Sequence, residues 1–297
     1  MSKASSGNRT RGRVRVVVTG ADGMLGRSVV DEFGRHHEVL RMRRSDCDLA
    51  DPRCTLQWIA ALAPHVVVHC AAWTDVDGCE SDPERAMREN AFATRNVALA
   101  TQDCDAALCY ISTDYVFDGS KEGPYREDDP IAPLNVYGRS KRIGEEHVLR
   151  HVRRSWVVRT SWLYGPGGTN FVRTMSELLP RKDELRVVDD QVGSPTYTLD
   201  LAVALRALVD SGLYGVYHIT NTGTCSWYEL ARAVEARLRT GCRVQACRSE
   251  EFPRPATRPR NSVLDAWHYR LSGLPLPRPW NEALGDYLKL LEKETAT

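Results

Sequence analysis

The sequence predicts an α/β fold, a doubly wound parallel sheet with a smaller, discontinuous C-terminal α/β domain. Three observations carry this expectation. Short apolar, β-branched runs alternate with helix-like segments through the first half; the first run leads straight into glycines at 20, 23 and 26; and a core-like run, Gly215 to Ile219, returns late in the chain. Strands buried on both faces read as continuous apolar runs, and regular strand and helix alternation argues a parallel sheet.

Taken in order, Arg13 to Gly20 (RVRVVVTG) is the first strand, and Gly20-x-x-Gly23-x-x-Gly26 opens a helix over Arg27 to Phe33. Glycines there let the backbone turn tightly and approach a pyrophosphate, whose charge the N–H groups and dipole of the helix N-terminus favour. His37 to Met42 is the second strand. At its end, where an NAD-specific site places an acid for the ribose 2′-hydroxyl, stand Arg41, Arg43 and Arg44. Guanidinium groups suit a 2′-phosphate instead, so the sequence leans to NADPH, with NADH as the lesser option. Asp48 and Leu49 follow in position to touch adenine.

His65 to Cys70 is the third strand, running into Ala71, Ala72, Trp73, Thr74 and Asp75, where small residues let a cofactor pass close over the backbone. Asp82 caps a helix that starts with Pro83 and runs to Gln102. Ala107 to Ile111 is the fourth strand and closes on Ser112 and Thr113, hydroxyls at the carboxyl end of a strand, where open α/β sheets bind ligands. Trp156 to Arg159 is the fifth. Further on, Thr198 caps a helix to Val209, Ser226 to Leu238 is helical, and Asn281 to Glu292 forms the last helix. We expect a dinucleotide-binding domain over 13–165, with 195–222 rejoining its sheet, a substrate domain over 166–297, and a disordered tail over 1–12.

Composition narrows the class. Of 297 residues, 42% are hydrophobic and 27% charged, enough for a sizeable core. The net charge is +1, with 40 basic against 39 acidic residues, which leaves no electrostatic footprint for nucleic acid or an anionic membrane. No apolar run approaches the ~20 residues of a membrane span, and the polar start carries no signal-peptide core. Nine cysteines, without a C-x-x-C, read as reduced, packed thiols of a cytoplasmic protein.

Between the fourth and fifth strands lies Pro133-Leu134-Asn135-Val136-Tyr137-Gly138-Arg139-Ser140-Lys141. If this opens a helix, Tyr137 and Lys141 project from one face a turn apart. A cation beside a phenol pulls its pKa down from ~10, which suits it to protonate a carbonyl under reduction.

With the glycine triplet, Ser112-Thr113 and Tyr137/Lys141 in this order, the chain resembles an extended short-chain dehydrogenase/reductase of Rossmann type, and more narrowly the dTDP-4-dehydrorhamnose reductase family. The matching stretches are TGADGMLG at 19–26, AAWTDVD at 71–77, STDYVFDG at 112–119, PLNVYGRSK at 133–141, RTSWLYG at 159–165, NFVRTM at 170–175, DDQVGSPT at 189–196 and RPRNS at 258–262. The resemblance implies reduction, in deoxysugar biosynthesis, of the 4-keto group of a dTDP-activated 6-deoxy-4-hexulose by NADPH. Tyr137 would be the general acid, Lys141 the ribose contact that lowers the tyrosine pKa, and Thr113 the hydrogen bond that polarises the carbonyl. Cofactor contacts would come from Gly20, Asp22, Gly23, Met24, Leu25, Gly26, Arg43, Arg44, Asp48, Leu49, Cys70, Ala71, Ala72, Thr74 and Ser112. Asp114, Tyr115 and Trp162 would line the sugar pocket, with Arg258 and Asn261 reaching the nucleotide diphosphate.

Some members of the family dimerise around Mg²⁺ through a glutamate two residues after the third glycine; Ser28 stands there in this chain, so we expect no metal and a monomer or homodimer. Two other readings stay open. A sugar-nucleotide dehydratase or epimerase would share the scaffold, but dehydratases follow the threonine with Asp-Glu where this chain has Asp114-Tyr115. A non-catalytic NADP-binding regulatory subunit would have no need of all of Thr113, Tyr137 and Lys141.

Overall fold

The computed structural model describes residues 13–295; the expected N-terminal tail lies outside them. Its centre is a six-stranded parallel sheet built from β1 (Arg15–Thr19), β2 (Glu38–Met42), β3 (Val66–His69), β4 (Ala107–Thr113), β5 (Ser155–Thr160) and β6 (Gly215–His218), in the order β6-β5-β4-β3-β1-β2. The late strand expected at 215–219 is β6, which lies in parallel register on β5, with Val216 opposite Val157.

Helices cover both faces, which is why the strands read as unbroken apolar runs. Successive residues of a strand point to opposite faces. Val16 and Val18 of β1 pack in one layer with Val29 and Phe33 of α1 (Met24–Gly34) and Leu201 and Leu205 of a later helix, Thr198–Ser211. Val17, between them, packs in the other layer with Ile59 of α2 (Pro52–Leu62), Val97 of α3 (Ala93–Asp103) and Val148 of α4 (Val136–His151). A separate apolar cluster joins Tyr164, Val172, Leu230, Leu284 and Tyr287 in the C-terminal part.

Several local expectations need correction. The helix expected from Asp82 to Gln102 begins as foreseen, with Asp82 capping Arg85 N and Pro83 first, but widens into a π-turn over Met87–Phe92 before α3. The turn lets Asn90 bind the Trp73 backbone in both directions, at 2.7 and 3.0 Å, and donate to Ser140 Oγ at 3.0 Å. Thr198 is not a cap: Tyr197 holds that position, and the Thr198 hydroxyl accepts a bond from Ser28 Oγ at 2.9 Å. Nor are all nine cysteines reduced. Cys47, after β2, and Cys54, in the first turn of α2, are brought to a Cα separation of 6.0 Å and joined as a disulfide, while the other seven are free.

Beneath the sheet's carboxyl edge, His69 is fully buried between two threonines. Thr94 Oγ1 donates to the Asn90 carbonyl at 2.6 Å, so it accepts from His69 Nε2 at 3.1 Å, and Nδ1 accepts from Thr19 Oγ1 at 2.7 Å. The ring is a neutral tautomer assigned by that network, and burial, helped by Lys141, lowers its pKa to about 3. Because the folded value lies below the unfolded one, the stability involved is present above about pH 6.5 and is lost as pH falls towards 3, at up to ~1.4 kcal/mol per pH unit. We therefore expect the urea midpoint to drop between pH 7 and pH 5 less steeply in His69→Gln than in the wild type. Equal slopes would show that His69 does not carry this acid sensitivity.

Candidate active site

At the carboxyl edge of the sheet, two cavities meet. One, of about 200 Å³, is lined by Gly20, Gly23, Arg43, Arg44, Asp48, Leu49, Cys70, Ala71 and Ala72 among others. The second, of about 400 Å³, is lined by Met24, Leu25, Gly26, Thr74, Ser112, Thr113, Asp114, Tyr115, Tyr137, Lys141 and Trp162 among others. Gly23, Cys70 and Ala72 belong to both walls, so the two form one trough over the ends of β1, β3 and β4. The cradle needs its glycine: Gly20 has φ +64°, and a Cβ there would sit 2.7 Å from Ala71 backbone atoms. Such a trough, with a helix N-terminus along one side, fits an extended dinucleotide.

At the far end of the smaller cavity, the guanidinium groups foreseen for a 2′-phosphate are held by acids. Arg43 lies 3.5 Å and Arg41 3.9 Å from Asp22, and Arg44 lies 3.2 Å from Glu89. Burial raises the Glu89 carboxyl, but hydrogen bonds from Arg85 and Arg44 outweigh it and hold the pKa below the usual range. Asp22 thus meets the trough through these arginines, not as one of its lining residues. Glu89 is a wall residue that motif reading missed; only the charge match with Arg44, across 45 residues, would have signalled it.

The candidate catalytic cluster is organised by α4. Asn135 caps it, accepting from Gly138 N at 2.8 Å. Gly138 permits the docking, since a Cβ would stand 2.1 Å from the Tyr115 carbonyl oxygen. Tyr137 is half-buried, edge-on to Tyr115 with ring centroids 6.1 Å apart. One turn on, buried Lys141 carries its Nζ 4.3 Å above the Tyr110 ring, and Tyr110 Oη donates to the Lys141 carbonyl at 3.3 Å. A further turn on, Glu145 accepts from Ser112 Oγ at 2.5 Å and pairs with buried Arg159 at 2.9 Å. Ser112 is therefore a wall residue whose hydroxyl braces α4 from β4.

The electrostatics correct one expectation. Lys141 does not depress the Tyr137 pKa; burial and the neighbouring Asp114 carboxyl raise it, opposed by the Thr113 hydroxyl. Removal from water acts on both partners, and it lowers Lys141 itself to about 7 against the pull of Glu145. Asp114, at 3% exposure, is pushed up to about 7 by burial, with the Ser262 and Thr113 hydroxyls opposing.

Of the residues foreseen for the sugar pocket, Asp114, Tyr115 and Trp162 line the larger cavity. Trp162, held at φ +48°, stacks face to face on Trp227 at 3.5 Å, and Phe171 packs on Trp227 at 4.7 Å. Trp227 went unrecognised because the sequence shows only an aromatic opening a helix. Arg258 and Asn261 stand apart from both cavities. Arg258 forms two bonds to Asp77, at 2.9 and 2.8 Å. Asn261 Nδ2 donates to the Lys121 and Gly123 carbonyls at 2.7 and 2.9 Å, and its Oδ1 accepts from Val263 N at 3.1 Å, so its amide is spent on loop backbone.

Comparison with known proteins agrees with this geometry. Residues 14–293 match the family pattern described as RmlD substrate binding domain. A dTDP-4-dehydrorhamnose reductase from Mycolicibacterium smegmatis is 44% identical over 92% of this chain and 84% of its own length. The spore coat polysaccharide biosynthesis protein SpsK of Bacillus subtilis is 42% identical over 93% of this chain and 97% of its own. Among solved structures, the dTDP-4-dehydrorhamnose reductase of Bacillus anthracis in complex with NADP superposes with a TM-score of 0.91 at 39% identity, covering 93% of this chain and 99% of that one. With the glycine cradle, the Thr113, Tyr137 and Lys141 cluster and these matches in agreement, the chain belongs to the RmlD substrate-binding-domain family, that of the dTDP-4-dehydrorhamnose reductases.

Proposed function

We propose that the chain reduces the 4-keto group of a dTDP-activated 6-deoxy-4-hexulose with NADPH, in deoxysugar biosynthesis. The observation that carries this reading is the convergence of Thr113, Tyr137 and Lys141 on one wall of the cavity that continues the glycine-lined trough. NADPH, when bound, supplies the hydride. Lys141 holds the nicotinamide ribose, Thr113 hydrogen-bonds the carbonyl oxygen as charge develops on it, and Tyr137 gives that oxygen its proton. Trp162 and Tyr115 close the sugar side. In this reading 13–165, with the 195–222 return, holds the dinucleotide, and 166–297 contributes the sugar-nucleotide side. NADP in the Bacillus anthracis relative and the names of the curated relatives support both cofactor and reaction.

The test is NADPH oxidation with a dTDP-4-keto-6-deoxysugar, followed by NMR of the product at C4. A new C4–H with loss of the ketone supports the reading; no sugar-dependent oxidation overturns it. On the cofactor side, Arg43→Ala and Arg44→Ala are each expected to raise KM for NADPH about tenfold, the order of one charge-assisted hydrogen bond, with a smaller effect on NADH. An equal effect on both cofactors would remove these arginines from the 2′-phosphate.

A further inference from the structure

We propose that Trp227 determines which sugar this site accepts: it holds the Trp162 indole in place, and the two stacked indoles form the surface that receives the C6 methyl group of the 6-deoxysugar. The inference rests on the proposed reading of the larger cavity as the 4-keto-sugar site.

Trp162 lies two residues after β5 at φ +48°. A bulky residue is strained in that backbone region and persists there only where its surroundings hold it, which is most often at a site that needs the side chain in a fixed place. The main chain is pinned on both sides. Ser161 Oγ donates to the Ser194 carbonyl at 2.6 Å, and Thr196 N donates to the Trp162 carbonyl at 3.2 Å.

The indole is confined in turn by one antiparallel ribbon, Val192–Gly193 against Cys225–Ser226, with Gly193 opposite Cys225. The first strand brings the Gly193 backbone so close to the ring that a Cβ would stand 2.4 Å from Trp162 Cε2. The second runs into the helix Trp227–Leu238, whose first residue stacks on Trp162 with 7° between the planes and 3.5 Å between centroids. That helix end is itself fixed. Ser226 Oγ accepts from Glu229 N at 3.1 Å and donates to Asp189 Oδ1 at 2.5 Å, while Glu229 accepts from Ser226 N at 2.8 Å. Phe171 packs on Trp227, and both indoles, each half-buried, line the larger cavity.

The chemistry of the proposed substrate says what this surface meets. The carbonyl carbon has two ring neighbours, one bearing a hydroxyl and the other the C6 methyl, the ring's one apolar substituent. With the carbonyl oxygen at Thr113 and Tyr137, the polar groups of Asp114 and Tyr115 suit the hydroxyl, and the indole pair suits the methyl. A hydroxymethyl in its place would give up water with only ring faces to meet.

Trp227→Ala removes the support of Trp162 and half of the aromatic surface, and spares Thr113, Tyr137 and Lys141. The full-length protein loaded with NADP⁺ is titrated calorimetrically with a dTDP-6-deoxyhexose and with the dTDP-hexose of the same ring configuration, which differs only by the C6 hydroxyl. The wild type is expected to bind the 6-deoxysugar at least ~10-fold more tightly, within the range an apolar pocket achieves against an added hydroxyl. In Trp227→Ala the ratio should fall to within about threefold, and Trp227→Phe should restore most of it. In NADPH oxidation, KM for a dTDP-4-keto-6-deoxysugar should rise at least ~10-fold in Trp227→Ala with kcat within about threefold, the mark of binding shared by ground and transition states. A merely structural role would weaken both sugars alike and leave their ratio at the wild-type value. No 6-deoxy preference in the wild type, an unchanged ratio in Trp227→Ala, a phenylalanine variant no better than alanine, or a loss confined to kcat overturns the proposal. If Trp227→Ala does not bind NADP⁺, Trp227→Gln, larger and also without a ring, serves with the same outcomes. Absence of sugar-dependent NADPH oxidation in the wild type would instead reject the reductase reading, while the titrations still give the binding ratio.

Discussion

Tyr137→Phe lowers kcat by at least ~10²-fold, the usual worth of a positioned general acid, while NADPH binding stays intact. The expected selectivity follows from the geometry. The substitution keeps the ring that meets Tyr115 edge-on and keeps α4 docked through Gly138, and it removes only the hydroxyl. Steady-state NADPH oxidation and a separate binding titration check both halves. Near-full turnover would show that another group protonates the sugar oxygen.

Lys141→Met is expected to cost ~10²-fold or more in kcat/KM, because it removes the cation proposed to hold the nicotinamide ribose. It also leaves a pH signature. Lys141 is lowered to about 7, so its ammonium is present below that pH and is lost as pH rises through it. Wild-type kcat/KM should therefore fall as pH rises through about 7, and in Lys141→Met this limb should vanish, leaving a low, flat profile. A limb retained unchanged would mean that Lys141 is not the group titrating. Methionine is unbranched and flexible like lysine, and the Tyr110 hydroxyl bonds the Lys141 main chain, not its side chain, so the fold should survive.

Much of this architecture was legible from periodicity. The valine runs of β1 and β3 are buried on both faces, and such runs have few other homes. The glycines and the Tyr137 to Lys141 spacing located the trough and the cluster because local geometry alone dictates them. What escaped the sequence was set by distant contacts. The Cys47 and Cys54 pairing depends on how the segment after β2 meets α2, the π-turn on where Asn90 must reach, and Trp227 on which helix swings over Trp162. The direction of the Tyr137 shift was misjudged for a related reason. Spacing reveals a neighbouring charge, but only packing reveals how far both groups have been drawn out of water.

Trp162 and Trp227, with Phe171 packed behind Trp227, come from segments beyond β5, whereas Tyr137, Lys141 and the buried Glu145 to Arg159 pair are anchored on α4 and the sheet. On the proposed function, the aromatic part of the sugar side is thus encoded after the stretch that carries the proposed reacting groups, while Asp114 and Tyr115 stay with the latter. A directed-evolution library aimed at a new sugar would randomise the aromatic positions and leave 133–145 untouched, and recombination between relatives with a crossover just after β5 would exchange preference while keeping the reaction.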